Sequence, residues 1–228
     1  MKKLLFSVLL LCQSLVAVAA VTDDYQIWLP VNINYKAPDS NWRGFLELQP
    51  RLSNDATHLK TAIVRPAVGY AITPEITLWA GYLMQATDNA ANSDDYAIEN
   101  RAWQGLTWKR KFTDNFIFEV RNRLEERFLP HNSTPAFRWR TRFRGEYLLP
   151  VKEWSIIASE EIFANLDDNE NNAAIRAGAD QNRAYVGVGY RFNDHLQLES
   201  GYLSQTVFNH GKNDNVNHVW MSNININF

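Results

Sequence analysis

One cysteine, Cys12, is present among the 228 residues. It lies in residues 1–20, where two lysines precede an apolar core and a run of small residues. This order is typical of a secretory signal peptide, and we expect cleavage after Ala19 or Ala20. Lipidation is disfavoured, because the residue before Cys12 is not small. The mature chain, residues 21–228, is then expected to lack disulfides and thiolate chemistry.

Long hydrophobic runs are also lacking. After the leader, no stretch approaches the about 20 apolar residues that a membrane-spanning helix requires. The formal net charge is only -2, so nothing indicates nucleic acid as a partner or a polybasic membrane patch. The mean hydropathy is negative. That value still permits a β-barrel, in which the lumen and loops are polar and only alternate strand positions meet lipid.

The strongest pattern in the chain is an alternation with period two. In "FIFEVRNRLEERFLP" (116–130) the apolar and charged residues alternate, although a helix also fits this segment alone. The segment "AFRWRTRFRGEYLLP" (136–150) decides between them. A helix would scatter its arginines over every face, whereas a strand places all of them on one side.

The alternation recurs in eleven segments, starting near Gln26, and the segments are joined alternately by short turns and longer polar loops. Outer-membrane barrels have this asymmetry of connections. We predict one all-β domain, a closed transmembrane antiparallel up-and-down β-barrel of 10–12 strands. The range reflects Pro30, which interrupts the first segment, and the even strand numbers usual in such barrels.

The two faces of these strands differ in a way that favours a barrel over a soluble β-sandwich. One face is rich in aromatic residues near strand ends, and the other carries arginine and glutamate rather than lysine, serine and threonine. We therefore predict a lumen charge network, and Arg43 is a further candidate cation of the lumen. The members of the network are Glu47, Arg51, Arg65, Glu99, Arg101, Glu119, Arg121, Arg123, Glu125, Arg127, Arg138, Arg140, Arg142, Arg144, Glu146, Glu161, Arg183, Arg191 and Glu199.

Arginines outnumber glutamates in this set, and two interpretations remain open. The charges could interlock as a filling of the lumen. Alternatively, they could line a narrow, anion-favouring passage or a pocket for an anionic ligand, with small anionic solutes as partners.

Several short motifs resemble the family of bacterial outer-membrane proteins catalogued as domain of unknown function 2490. They are "RAWQGL" (101–106), "RNRLEERF" (121–128), "SEEIFAN" (159–165), "QNRAYVGVGYRF" (181–192) and "SGYLSQ" (200–205). The resemblance spans nearly the whole mature chain. It implies a single β-barrel in the outer membrane of a Gram-negative bacterium, and it supplies no catalytic residues.

The last segment ends in an aromatic residue after alternating apolar positions. This arrangement resembles the signal by which outer-membrane barrels are recognised for assembly, so we expect the barrel-assembly machinery and outer-membrane lipid as partners. The residues of this signal are Trp220, Ile224, Ile226 and Phe228.

An outer-membrane hydrolase is the alternative function. On the wall, His218 and Ser222 share a face, but four strand residues span about 13 Å, too far for a hydrogen bond. At the long-loop rim, the sequence offers histidines as members of an Asp/His pair: His58 near Asp55, His131, and His210 near Asp214.

The acidic stretch "NLDDNENN" holds Asp167, Asp168 and Glu170, which are oxygen ligands of the kind that Ca²⁺ accepts. It lacks the regular order of a calcium loop, so we expect no metal and no cofactor. Our expectation from the sequence is a non-enzymatic barrel.

Overall fold

The computed structural model describes residues 24–88, 96–130, 132–151, 153–169, 175–209 and 213–228. The predicted signal peptide lies outside these ranges. All regular structure within them is β-strand, and no helix there is long and apolar enough to cross a membrane. The strands are β1 (Asp24–Trp28), β2 (Val31–Lys36), β3 (Trp42–Ser53), β4 (His58–Ala71), β5 (Ile76–Asp88), β6 (Tyr96–Thr113), β7 (Phe116–Phe128), β8 (Ala136–Leu148), β9 (Trp154–Asn165), β10 (Gly178–Arg191), β11 (Leu196–Val207) and β12 (Asn215–Asn227).

The strands form one closed barrel. From β2 to β12 each strand pairs antiparallel with the next, and the two edges meet where β1 and β2 pair parallel with β12. β1 and β2 also both pair with β3, so they are two halves of a single wall strand. The wall therefore has eleven strands, and the predicted all-β barrel of 10–12 strands is confirmed.

The break between β1 and β2 lies at Leu29 and Pro30. Proline has no N–H to give to a strand ladder, so the pairing stops there. The backbone N–H of Leu29 donates to the carbonyl of Pro50 at 3.1 Å, and the carbonyl of Pro30 accepts from Ile224 at 2.9 Å. These bonds keep the wall continuous across the break.

The two ends of the barrel differ in their connections. The short-turn end carries the connections β2–β3, β4–β5, β6–β7, β8–β9 and β10–β11, which span two to five residues each. The long-loop end carries the connections β3–β4, β5–β6, β7–β8, β9–β10 and β11–β12, of which residues 54–57, 129–130, 132–135, 166–169, 175–177, 208–209 and 213–214 are described. Because the number of wall strands is odd, the first and last strands begin at the same end. Asp24 therefore pairs with Asn217 at the long-loop end, while Phe228 bonds Asn34 and Lys36 at the short-turn end.

The outward face of the wall is apolar. In β10, Val186 and Val188 are 55% and 47% exposed, whereas the adjacent Tyr185, on the opposite face of the strand, is 6% exposed. Aromatic pairs line the short-turn margin of this face, such as Trp42 with Tyr70, whose ring centroids are 5.1 Å apart. The side chains thus alternate between the two faces as strand geometry requires.

Apolar side chains also fill part of the inside. One buried cluster contains Ile63, Leu83 and Trp103, and another is built around Trp28 and Val219. Gly81 of β5 leaves room for the indole of Trp103, since a Cβ at Gly81 would lie 2.4 Å from that ring. The glycine thereby lets Trp103 lie flat against the inner wall.

Candidate functional site: the charged lumen

The structure places all but one of the nineteen predicted network residues inside the barrel, either buried or half-buried. They face inward because each lies on the parity opposite to the exposed apolar residues of its strand. The most enclosed are Glu125, Arg138 and Arg140, with 1%, 3% and 4% of their surface exposed.

Glu125 is the centre of the most buried group. Its two carboxylate oxygens accept from Arg138 at 2.6 Å and from Arg140 at 2.5 Å, and Arg101 lies 3.6 Å away. These three arginines come from β6 and β8, on either side of β7. A buried charge is tolerated when partners and hydrogen bonds surround it, and Glu125 meets this condition.

The pairing continues toward the long-loop end. Glu99 accepts from Arg101 and from Arg127, each at 2.7 Å, and Arg138 donates to Asp180 at 2.8 Å. We call this set the closing cluster: Glu99, Arg101, Glu125, Arg127, Arg138 and Asp180. It connects β6, β7, β8 and β10 across the part of the lumen nearer the long-loop end.

Asp180 is a member that the sequence did not indicate. Its parity along β10 is that of the outward-facing residues, and it follows the acidic loop directly. A bulge between Ala179 and Gln181 shifts the register against β9, and the carboxylate instead meets Arg138 inside. No feature of the sequence marks this bulge, because a bulge adds one residue without a characteristic residue type at this position.

Arg191 was predicted in the network, and the structure corrects this. It is the last residue of β10, at the short-turn rim, and it is exposed. The parity was right, but the strand ends there, so the side chain lies beyond the enclosed part of the lumen. Arg43, also near this rim, donates to the backbone carbonyls of Ser40 and Trp42.

On the short-turn side of the closing cluster lies a cavity of about 380 Å³, which we call the vestibule; its roof is the part next to the closing cluster. Its lining reaches Asn34 and Asn227 at the short-turn end, and Arg51, Arg123 and Arg183 at its roof. None of the closing-cluster residues, and none of the described residues at the long-loop rim, contributes to the lining. Within the described residues, the vestibule therefore extends from the short-turn end up to these three arginines and does not reach the long-loop rim.

Ion pairs also hold the walls of the vestibule. Arg144 donates to Glu199 at 2.9 Å and to Glu146 at 3.0 Å, and Arg65 pairs with Glu47 at 2.5 Å. Further pairs are Arg142 with Glu119, and Arg140, Arg121 and, at 3.9 Å, Arg183 with Glu161.

The described part of the lumen carries more positive than negative charge. Eleven of the predicted arginines lie inside, against seven glutamates and Asp180, an excess of three. The excess is concentrated at the roof of the vestibule, where Arg51 and Arg123 have no carboxylate of the described residues within 4.0 Å.

The wall residues considered for hydrolysis have other partners. Ser222 bonds Ser200 at 2.8 Å, and the Nδ1 atom of His218 bonds the Tyr202 hydroxyl at 2.5 Å. At the rim, His58 pairs with Asp88 of β5, rather than with the nearby Asp55. His131 and His210 lie outside the described residues.

The two described aspartates of the acidic stretch after β9 accept hydrogen bonds from the backbone. Asp167 accepts from the backbone N–H of Phe137 at 3.1 Å, and Asp168 from that of Ala177 at 2.8 Å. Glu170 lies outside the described residues. Within the described ranges, no three His, Cys, Asp or Glu side chains are grouped as a metal site.

An apolar outer wall around a charged, filled interior defines a closed β-barrel with a polar lumen. Residues 25–217 match the model of the family described as "Protein of unknown function (DUF2490)", and the chain belongs to this family. An uncharacterised protein of Methylorubrum extorquens strain AM1 is 29% identical over 224 residues, covering 97% of this chain and 95% of that protein. Among solved structures, the outer-membrane expressed OmpT of Vibrio cholerae is similar over 73% of this chain and 55% of its own, with 13% identity and a TM-score of 0.41.

Proposed function

We propose that the protein is an outer-membrane β-barrel of a Gram-negative bacterium, with a lumen closed to steady current. The outward apolar face supports a lipid environment, because a soluble barrel would expose side chains such as Val186 and Val188 to water. The aromatic pairs at the short-turn margin suit the membrane interface. In this orientation the short turns face the periplasm and the long loops face the outside.

Glu125 carries the proposal that the lumen is closed. Its side chain is buried, with 1% of the residue exposed, and its carboxylate is bonded to Arg138 and Arg140 of β8. Arg101 of β6 lies 3.6 Å from it on the other side. Opening a passage through this layer would separate buried opposite charges, which costs about 3–5 kcal/mol for each broken pair. The closing cluster therefore acts as a structural plug made of wall side chains.

Planar-bilayer recording of the purified mature protein tests this proposal. We expect insertion without steady conductance at moderate voltage. A steady ohmic current through the unmodified protein would contradict it.

A narrow anion-favouring pore is the second candidate, supported by the three excess positive charges of the lumen. Any current that does flow, for example during brief openings, should then favour anions. Replacing Arg140 and Arg142 with Gln should reduce this preference, as measured by the reversal potential in a salt gradient. Cation selectivity of the parent protein would exclude this candidate.

We propose that residues 1–20 direct export and that the barrel-assembly machinery recognises Trp220, Ile224, Ile226 and Phe228. No nucleic-acid partner is proposed. The proposed role is also non-enzymatic. Ser222 is hydrogen-bonded to Ser200 and His218 to Tyr202, which supports a structural role for these wall residues. Release of products from lipid or peptide substrates by the purified barrel would contradict the non-enzymatic role.

A further inference from the structure

We propose that the vestibule binds a compact multivalent oxyanion, a phosphate ester or a polycarboxylate, at its three roof arginines, Arg51, Arg123 and Arg183. This goes beyond a closed barrel, since a ligand can enter from the short-turn end without any passage through the closing cluster. The site also does not depend on whether the barrel conducts.

Arg123 is the clearest unsatisfied group of the roof. It is 5% exposed, and its Nε and Nη1 atoms are buried without a hydrogen-bond partner. Its cross-strand neighbours are Gly105 on β6 and Arg140 on β8. Neither can accept a hydrogen bond from its guanidinium through a side chain. Among the described residues no carboxylate forms an ion pair with Arg123, and Glu125 and Glu47 act on it only at longer range.

Aromatic rings hold the roof arginines by their flat faces. The guanidinium carbon of Arg123 lies 4.0 Å from the centroid of Trp103. Those of Arg51 and Arg183 lie 3.8 Å and 5.0 Å from the ring of Trp28. A guanidinium stacked in this way keeps its N–H edges free for a ligand, and this planar fork matches the oxygens of a carboxylate or phosphate.

The protein partners of Arg51 and Arg183 are weak. Arg51 donates to the neutral Gln49, and its Nε atom is buried without a partner. Arg183 donates to the neutral side chains of Gln181 and Gln205. Its contact with Glu161 is long, at 3.9 Å. Amides orient these guanidiniums, but they do not neutralise them.

The roof is repulsive in the absence of an anion. Arg65 interacts electrostatically with both Arg51 and Arg123, and so connects the two sides of the roof. Its own carboxylate partner, Glu47, is a single charge. Uncompensated buried charges of one sign are costly, and an anion at this place would offset that cost.

The size of the vestibule limits the ligand. Ligand pockets usually measure about 300–1,000 Å³, and 380 Å³ lies at the lower end of that range. Three guanidiniums favour more than one negative charge on a compact molecule. Phosphate and carboxylate oxygens both satisfy this chemistry, and the experiment separates them.

Isothermal titration calorimetry of the full mature chain in neutral detergent, at 0.15 M chloride, is the test. Its probes are inorganic phosphate, pyrophosphate and citrate. We expect saturable one-to-one binding of pyrophosphate or citrate, at least tenfold tighter than that of inorganic phosphate. The tighter of these two identifies phosphate or carboxylate chemistry.

Two variants locate the site, and a third is the matched control. Arg123→Gln should weaken binding at least tenfold, and Arg123→Lys should weaken it less, because it keeps the charge but loses the fork. Arg110→Gln removes an arginine whose side chain is 53% exposed and should change affinity less than twofold. Retained heat-modifiable migration on a denaturing gel establishes that each variant is folded.

The proposal is overturned by any of three results. The first is that no probe binds saturably, and the second is that folded Arg123→Gln keeps the affinity of the parent protein. The third is that Arg110→Gln loses as much affinity as Arg123→Gln, which would indicate general surface electrostatics. Conductance of the unmodified barrel would refute the closed lumen while leaving this binding result standing.

Discussion

Two adjoining layers of the lumen use the same residue type in opposite ways. In the closing cluster, one carboxylate, Glu125, has three arginine neighbours, and every arginine there meets at least one acid. At the roof of the vestibule, Arg123 has none. The difference shows that cross-strand register, more than arginine content, determines whether a lumen charge stabilises the barrel or remains available to a ligand.

The largest expected effect follows from removing the centre of the closing cluster. Glu125→Gln leaves Arg101, Arg138 and Arg140 buried with one carboxylate fewer. We expect it to lower the free energy of unfolding by about 3–5 kcal/mol, the cost of breaking a buried pair. Reversible guanidinium unfolding in detergent or lipid measures this loss.

The adjacent Glu126 is the matched control for that variant, because it lies on the opposite face of β7. Glu126→Gln should change stability by about 0.5 kcal/mol or less. Equal losses of unfolding free energy in the two variants would show that the burial of Glu125 does not increase its contribution to stability.

Arg138→Gln should have the next largest effect. It removes the partner of Asp180 and one of the two close partners of Glu125. Because Arg140 still bonds Glu125, we expect a smaller loss, of about 1–3 kcal/mol. Asp180→Asn in the same assay should reproduce part of this loss, and no change in either variant would contradict the proposed pairing.

The barrel itself could be predicted from the sequence, because period-two alternation is preserved in nearly every strand. The sequence also delimits eleven segments, but it does not determine whether the first of them is a full wall strand, so the strand number was predicted only as a range. Pro30 divides the first strand, and side-chain parity gives no information about whether neighbouring strands run parallel or antiparallel. The parallel contact of β1 and β2 with β12 is therefore visible only in the structure.

The inner face could likewise be predicted, but not the pairs within it. Register places Glu125 opposite Arg138, and Arg123 opposite Arg140. This register depends on the lengths of the connecting loops, which the pattern of single strands does not specify. The same limitation explains Arg191, whose parity matched the lumen although its strand ends at the rim.

Arg123→Gln should affect stability far less than Arg138→Gln, despite similar burial. It removes a charge with no acid partner, so we expect a change within about 1 kcal/mol and in the stabilising direction. The unfolding assay without added anion measures it. A loss as large as that of Arg138→Gln would show that Arg123 has a structural partner and would weaken the contrast between the two layers.

The smallest expected effect concerns an ion pair outside the lumen. Lys111, near the end of β6, lies 3.2 Å from Asp114 in the following turn, and their side chains are 55% and 101% exposed. Water and salt screen such a pair, so Lys111→Gln should leave the unfolding midpoint unchanged within error. A shift comparable to that of the closing cluster would remove the distinction between enclosed and exposed pairs.

Spin-label scanning of β10 in lipid bilayers tests the central claim, that the wall turns its apolar residues to lipid and encloses its arginines. The expected absence of cysteine from the mature chain allows single-cysteine labels at Arg183, Ala184, Tyr185, Val186 and Val188. We predict a period-two profile, with high collision rates with dissolved oxygen at Ala184, Val186 and Val188 and low rates at Arg183 and Tyr185. The reversed profile, or uniform access of a water-soluble relaxation agent at all five positions, would contradict the account.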